Sequence, residues 1–305
     1  MKRFLLTFCC TLIVVGIPSR AAAWNKAGHM LTGAIAYRTL QQSDPQALAR
    51  VLQIFREHPF YEERWRARIQ AFPGNSPDTE GLFLFMHVAR WPDDVRGDED
   101  FHCGSCHFVN FRFPHQGNAA PVGGQLLTAF AENMEIVQSN SSNEEKAIAL
   151  SWIFHLIGDV HQPLHTAILF NSTFPEGDRG GTLFFIRPRP NSVPISLHKF
   201  WDDLVMTSER VSSVNNRTRN LLQLPAHQRS ALPELSEADF RQWAIAESLV
   251  LARTEGYRNG TLQGGTSESN SEVLPAGYRG RVQPIAERRV VVAGYRLADR
   301  LRQWF

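Results

Sequence analysis

Cysteine is scarce in this chain. Four occur in 305 residues, and two of them, Cys9 and Cys10, lie in an apolar N-terminal stretch. Cys103 and Cys106 remain, too few for a disulfide framework or for a four-thiolate zinc site. Beyond the N-terminal stretch there is no apolar run of membrane-spanning length. Nor is there a large basic excess. The formal net charge is +2 at pH 7, whereas a protein that coats duplex nucleic acid usually carries a strong positive balance. Any nucleic-acid contact must therefore be local to a site. Repeats, long linkers and low-complexity tracts are also missing.

What is present begins with Met-Lys-Arg, an apolar run over 4–17 and Ala21-Ala22-Ala23. A positive start, a short apolar segment and a small-residue end read as a signal peptide over 1–23. The competing reading is an N-terminal anchor, but the run is short for a span. Removing 23 of 305 residues leaves 282, enough for a large core in one domain over 24–305. The segment takes Lys2, Arg3 and Arg20 with it, so 29 basic residues face 30 acids and the net charge becomes −1. The expected product is secreted or periplasmic, with no stable membrane association and no protein partner implied.

The pattern is mostly helical. Apolar residues recur at helical spacing over 25–41, 120–138, 143–159, 237–253 and 282–304. Acids at Glu144 and Glu145 suit the start of the third of these. Residues 177–194 are rich in Gly and Pro around a β-like Thr-Leu-Phe-Phe-Ile run, which predicts a loop with a short hairpin. Residues 72–80 and 259–271 read as surface loops.

Four stretches carry chemistry. On a helix His155 and Asp159 share one face, as do His198 and Asp202. Pro163 disturbs the first helix before His165. Imidazole and carboxylate together suit zinc. Asp93 stands in Trp-Pro-Asp-Asp-Val-Arg, with Arg96 at its end, and His107 follows. Each pair alone reads equally well as a surface ion pair or a satisfied core histidine. Cys103-Gly-Ser-Cys-His is also a literal c-type haem attachment signature. In an oxidising compartment the same two cysteines can instead pair. Cleavage before Trp24 would expose an α-amino group and carbonyl able to chelate a metal, with His29 one turn further on; packing of Trp24 on the domain is the bland alternative.

In order, the motifs are Trp-x-x-x-x-His (24–29), Trp-Pro-Asp-x-Val-Arg (91–96), His-Phe-Val (107–109), His-Leu-Ile-Gly-Asp-Val-His-Gln-Pro-Leu-His (155–165), Gly-Asp-x-Gly-Gly (177–181), Leu-His-x-x-Trp-Asp (197–202) and Ala-Gly-Tyr-Arg-Leu-Ala (293–298). The ordered set resembles the secreted, zinc-dependent, single-strand-specific nucleases and 3′-nucleotidases of fungi and plants. Bacterial trinuclear-zinc phospholipases C are more distant relatives. The resemblance spans Trp24 to the C-terminus.

It implies a mainly α, single-domain helical fold of the zinc phospholipase C and single-strand nuclease type, with a short β-hairpin. It implies three zinc ions per chain. One would be held by Asp93, His107, His155 and Asp159, and a second by His165, His198 and Asp202. The third would take the amine and carbonyl of Trp24, with His29 and a shared Asp159. His161 is left over in a supporting or structural role. Asp159 and Arg96 would be catalytic, and Phe108 would stack a splayed base. The substrates implied are single-stranded nucleic acid and 3′-nucleotides, with 5′-phosphate products.

Three positions depart from the family pattern. Asn110 stands where the family usually has Asp at the base edge, Thr182 where Asn follows Gly-Asp-x-Gly-Gly, and Ser196 where Asn precedes Leu-His. An amide donates as well as accepts, so the base preference is open. Three other readings remain at this point: lipid-phosphate hydrolysis on the same metal core, a haem protein through Cys103, Cys106 and His107, and a non-catalytic binding protein.

Overall fold

The computed structural model describes residues 24–72, 76–114 and 120–305. The proposed signal peptide over 1–23 lies outside the described residues. The chain is mainly α. Its helices are α1 (Lys26–Ser43), α2 (Pro45–Phe55), α3 (Arg66–Gln70), α4 (Pro77–Asp94), α5 (Leu126–Gln138), α6 (Asn143–His161), α7 (Leu197–Asp202), α8 (Val211–Gln223), α9 (Phe240–Gln242), α10 (Leu249–Leu251) and α11 (Tyr278–Trp304). Among the described residues no helix is long and apolar enough to cross a membrane.

The long helix α6 runs through the core. Every residue over 149–161 is buried, which a helix tolerates only when other elements cover it on all sides. Here α1, α2, α4, α5 and α11 pack against it. A capping box starts it: Ser142 Oγ accepts from the Glu145 N–H while Glu145 accepts from the Ser142 N–H. α1 lies against α4 and α11 at close range. A Cβ at Gly33 would fall 2.1 Å from the Phe85 carbonyl oxygen, and one at Gly294 would fall 2.5 Å from Ile35. Glycine is what lets these backbones approach.

Several boundaries differ from the sequence reading. α4 begins inside the stretch expected to be a loop over 72–80. Ser76 caps it, accepting from the Thr79 N–H, and Asp78 and Glu80 occupy its first turn. α5 starts only at Leu126, because Pro121 bridges instead to Phe111. The expected helix over 237–253 is interrupted: π-helical turns Trp243–Ser248 and Ala252–Gly256 flank α10. α11 starts at Tyr278, four residues earlier than expected. α2 and α8 were not anticipated.

The β content exceeds the expected hairpin. β3 (Phe185–Arg187) pairs antiparallel with β4 (Ile195–Ser196), and β5 (Glu272–Val273) joins β3 in parallel. The expected loop over 259–271 leads into that third strand, with Gly265 bridging Phe185. β1 (Phe111–Phe113) and β2 (Ala167–Leu169) form a separate parallel pair. That pair ties the segment after His107 to the segment after His165.

Candidate metal centre

α6 supplies the centre's floor. His155 and Asp159 stand one turn apart on it, both fully buried. Between them Gly158 has no side chain, and a Cβ there would lie 2.7 Å from His29 Nδ1. The gap lets α1 bring His29 flat onto His155, with ring centroids 3.7 Å apart and planes 16° apart. His29 Nε2 then lies 3.2 Å from Asp159 Oδ1. The end of α4 adds Asp93, whose Oδ1 is 3.8 Å from His155 Nε2. A 3₁₀ turn, Gly104–His107, adds His107. Its Nδ1 is 2.8 Å from His155 Nε2 and 3.3 Å from Asp159 Oδ2. Asp159 is thus central: Oδ1 faces His29 and His165, and Oδ2 faces His107 and His155.

A second cluster forms where α6 ends. Pro163 starts a 3₁₀ turn, Pro163–Thr166, that carries His165. α7 carries His198 and Asp202 on one face. His165 Nε2 and His198 Nε2 are 3.0 Å apart, and Asp202 Oδ2 is 3.8 Å from His198 Nε2. Ser196 caps α7, accepting from the Lys199 N–H. Serine and asparagine are equivalent caps, so this departure from the family pattern leaves the helix start intact.

Partners behind the imidazoles fix which nitrogen faces inward. His155 Nδ1–H donates to the Ala89 carbonyl at 2.9 Å, His165 Nδ1–H to the His107 carbonyl at 2.5 Å, and His198 Nδ1–H to the Gly180 carbonyl at 2.6 Å. A carbonyl only accepts, so each Nδ1 holds the hydrogen and each neutral ring presents an Nε2 lone pair. Gln162 Nε2 donates to Asp202 Oδ1 at 2.8 Å and orients that carboxylate.

Burial sets the charge states. Desolvation above all pushes His29, His107 and His165 well below 6.5, with neighbouring imidazoles adding to it. It pushes His155 down to about 4. Desolvation also drives the Asp159 and Asp202 carboxyls well above their ordinary range. Imidazolium and bare carboxylate are both disfavoured, yet the Nε2 lone pairs of His165 and His198 face each other. A divalent cation resolves both conflicts. Zinc–nitrogen bonds of about 2.0–2.1 Å at a tetrahedral ion put two ligand nitrogens roughly 3.3 Å apart, close to the spacing here. Three groups have all their ligand atoms within 4.8 Å of one another: His29, Asp93 and His155; His107, His155 and Asp159; His165, His198 and Asp202. The donor set fits zinc.

All eight His and Asp candidates converge. Trp24 is fully buried and packs over Gly28, where a Cβ would lie 2.9 Å from Trp24 Cβ. Whether its amine is free depends on residues outside those described. Cys103 and Cys106 form a disulfide, which leaves the haem reading without its thiols, and His107 faces the acid–imidazole cluster. His161 points away from the centre. Its Nδ1–H donates to the Ile157 carbonyl and its Nε2 accepts from Arg296 Nη1 at 2.8 Å.

Above the centre opens a cavity of about 540 Å³, lined by Arg96, Phe108, Asn110, His107, His165 and His198 among others. Arg96 Nη2 lies 2.7 Å from Asp93 Oδ1, so the ion-pair reading of Arg96 and its place at the cavity coexist. Thr182 also lines the wall, with its Oγ1 buried and unpartnered among the described residues. His102 and Arg179 line it too and were not singled out in the sequence. Gln162 was quoted within a motif but given no role; an amide beside two histidines was the available signal.

Residues 24–305 match the model of the S1/P1 Nuclease family. Similar curated proteins include three from Arabidopsis thaliana. Endonuclease 5 is 27% identical over 325 aligned residues, covering 96% of this chain and 94% of its own length. Endonuclease 4 is 23% identical, covering 98% and 94%. Endonuclease 3 is 23% identical, covering 96% and 93%.

Proposed function

For a chain that belongs to the S1/P1 nuclease family, a family of zinc-dependent nucleases, we propose an exported trinuclear-zinc phosphodiesterase. It hydrolyses single-stranded DNA and RNA to 5′-phosphate products and also removes phosphate from 3′-nucleotides. One observation carries this reading: eight buried His and Asp side chains from separate elements converge, with backbone carbonyls holding three of the imidazoles in the ligating tautomer. Three candidate groups, two of them sharing His155, support the ion count, with Trp24 completing the His29 group once residues 1–23 are removed. Secretion or periplasmic export follows from the same N-terminal segment.

Bound zinc would lower the pKa of water to give hydroxide near neutral pH and would neutralise charge on the phosphate oxygens. The protein's own residues do the rest. Asp159 reaches His29, His107, His155 and His165 with its two oxygens, so it fixes the centre's spacing. Arg96, held by Asp93 at the cavity, offers guanidinium N–H groups to a phosphoryl oxygen as negative charge develops. The P–O3′ bond breaks, which leaves the phosphate on the 5′-oxygen.

Phe108, half-buried at the cavity, stacks a base that single strands leave free. Asn110 offers a donor as well as an acceptor to the base edge. The lipid-phosphate alternative needs an apolar entry for acyl chains; the aromatic and two arginines at this mouth suit a nucleotide better. Nucleotide release from denatured DNA, compared with phosphocholine release from lecithin and repeated with His155→Ala, tests the reading. Expected is release from DNA that His155→Ala abolishes. Full activity in that variant would remove His155 from the centre, and release from lecithin alone would favour the lipid reading.

A further inference from the structure

Arg179 holds a backbone conformation that arginine rarely takes. Its φ is +54°, and Gly180 and Gly181 follow at +61° and +81°. Glycine enters this left-handed region freely; a residue with a Cβ does so at a cost, unless its surroundings compel it. Here they do. The buried Asp178 carboxylate accepts from the Leu169 N–H at 2.8 Å and from the Tyr257 hydroxyl at 2.7 Å. The Gly180 and Gly181 N–H groups bond to it as well. The Gly180 carbonyl in turn receives His198 Nδ1–H. The turn is therefore anchored from below and joined to the second metal group.

The turn holds an exposed arginine out along the cavity wall. Among the described residues the Arg179 side chain has no hydrogen bond or ion pair. Other arginines of this chain meet carboxylates: Arg90, Arg217, Arg281, Arg288, Arg289 and Arg296 all do. Among the described residues no Asp or Glu lines the cavity to neutralise Arg179. Backbone strain kept in place by surrounding bonds is common where a side chain must be aimed.

We propose that Arg179 forms a phosphate subsite for a neighbouring, non-scissile phosphodiester of the bound strand. This rests on the single-strand nuclease reading and names part of its substrate recognition. Arg96 stands with Asp93 on one side of the centre, whereas the Arg179 turn abuts His198 on the other. The two guanidinium groups thus serve different phosphates. A planar fork suits two phosphate oxygens at once, independent of base sequence. The consequence is a preference for strands over the shortest substrates.

A dinucleoside monophosphate carries only the scissile phosphate; a longer single-stranded oligonucleotide carries flanking ones. Arg179→Gly deletes the cation while easing the left-handed backbone, so the variant keeps the fold and reads the lost contact. Expected is a rise of about tenfold in KM for the oligonucleotide, typical of one lost charge-assisted contact. The slope of log KM against log salt should fall by about 0.7, one phosphate contact to a single strand. Hydrolysis of the dinucleoside should change little. Arg179→Lys keeps the charge and should restore the salt slope, with KM only partly recovered because the fork is gone. Equal losses on both substrates, or an unchanged oligonucleotide KM and slope, would overturn the subsite. A wild-type chain that leaves single strands intact would overturn the nuclease reading and the subsite with it.

Discussion

The cavity wall divides its work among single side chains. Arg96 is the cation beside Asp93. Losing a preorganised charge donor of this kind costs about 10²–10³ in kcat, so Arg96→Ala should cut turnover by that order with zinc content retained. A variant that instead loses zinc would make Arg96 a support for Asp93. For Phe108 the proposed role is in binding. Stacking contributes ~1–3 kcal/mol per base, so Phe108→Ala should raise KM on denatured DNA by roughly tenfold or more and leave kcat close to wild type. Steady-state kinetics on one single-stranded substrate separates the two effects.

The candidate ligands that converge were legible from sequence because few residue types bind zinc, and they stand at i, i+4 or in short motifs. What orients them was not legible. The Ala89, His107 and Gly180 carbonyls are partners through backbone, which no side-chain pattern reveals. Arg179 was passed over because a left-handed φ at a non-glycine residue has no sequence signature.

At the scale of elements, α6 is the part on which the centre depends. Gly158 is a helix-interior glycine that alanine would improve by ~1 kcal/mol in propensity alone. Its Cβ would collide with His29 Nδ1. Gly158→Ala should therefore lose zinc at the His29 group while the metal-free protein unfolds no more easily. Metal analysis beside thermal melts of the chelated protein checks this; full zinc retention would show that His29 can shift without consequence.

The far end of α6 is held by a buried network. Ser248 Oγ donates to the Val160 carbonyl at 2.5 Å, and Arg289 Nε to the His161 carbonyl at 3.4 Å. Glu247 pairs with both Arg289 and Arg296. This gives the tail motif over 293–298 its place in the fold. Removing one partner of a buried ion pair costs ~3–5 kcal/mol, so Glu247→Ala should destabilise by that order in denaturant titrations. A change under ~1 kcal/mol would mean the arginines find other partners. Among elements, the long periodic helices were readable. α4 was obscured because 72–80 is full of turn-forming residues, although Ser76 and two acids in the first turn mark a helix start.

For the whole molecule, near-neutral net charge and a cavity lined by Arg96 and Arg179 both suit the proposal that recognition is local to one site. The same burial that readies the centre also sets an acid limit elsewhere. His87 is buried against Phe83, with ring centroids 3.9 Å apart, and desolvation pushes it down to about 3. Its folded value lies below its unfolded value of 6.5. The neutral ring's stabilisation is therefore complete above pH 6.5 and is lost as pH falls towards 3. By about pH 4.5 the loss is roughly 2–3 kcal/mol. His87→Phe should lose that much less stability over the same range in denaturant titrations at the two pH values. An identical pH dependence in the variant would show that His87 is not a source of the acid limit.

The most direct measurement is zinc per chain by elemental analysis, taken together with nucleotide release from denatured DNA before and after a chelator. Three zinc ions, loss of release on chelation and recovery on adding zinc are expected. Undiminished cleavage by a chain that holds no zinc, or a zinc-filled chain that leaves single strands intact, would contradict the assignment.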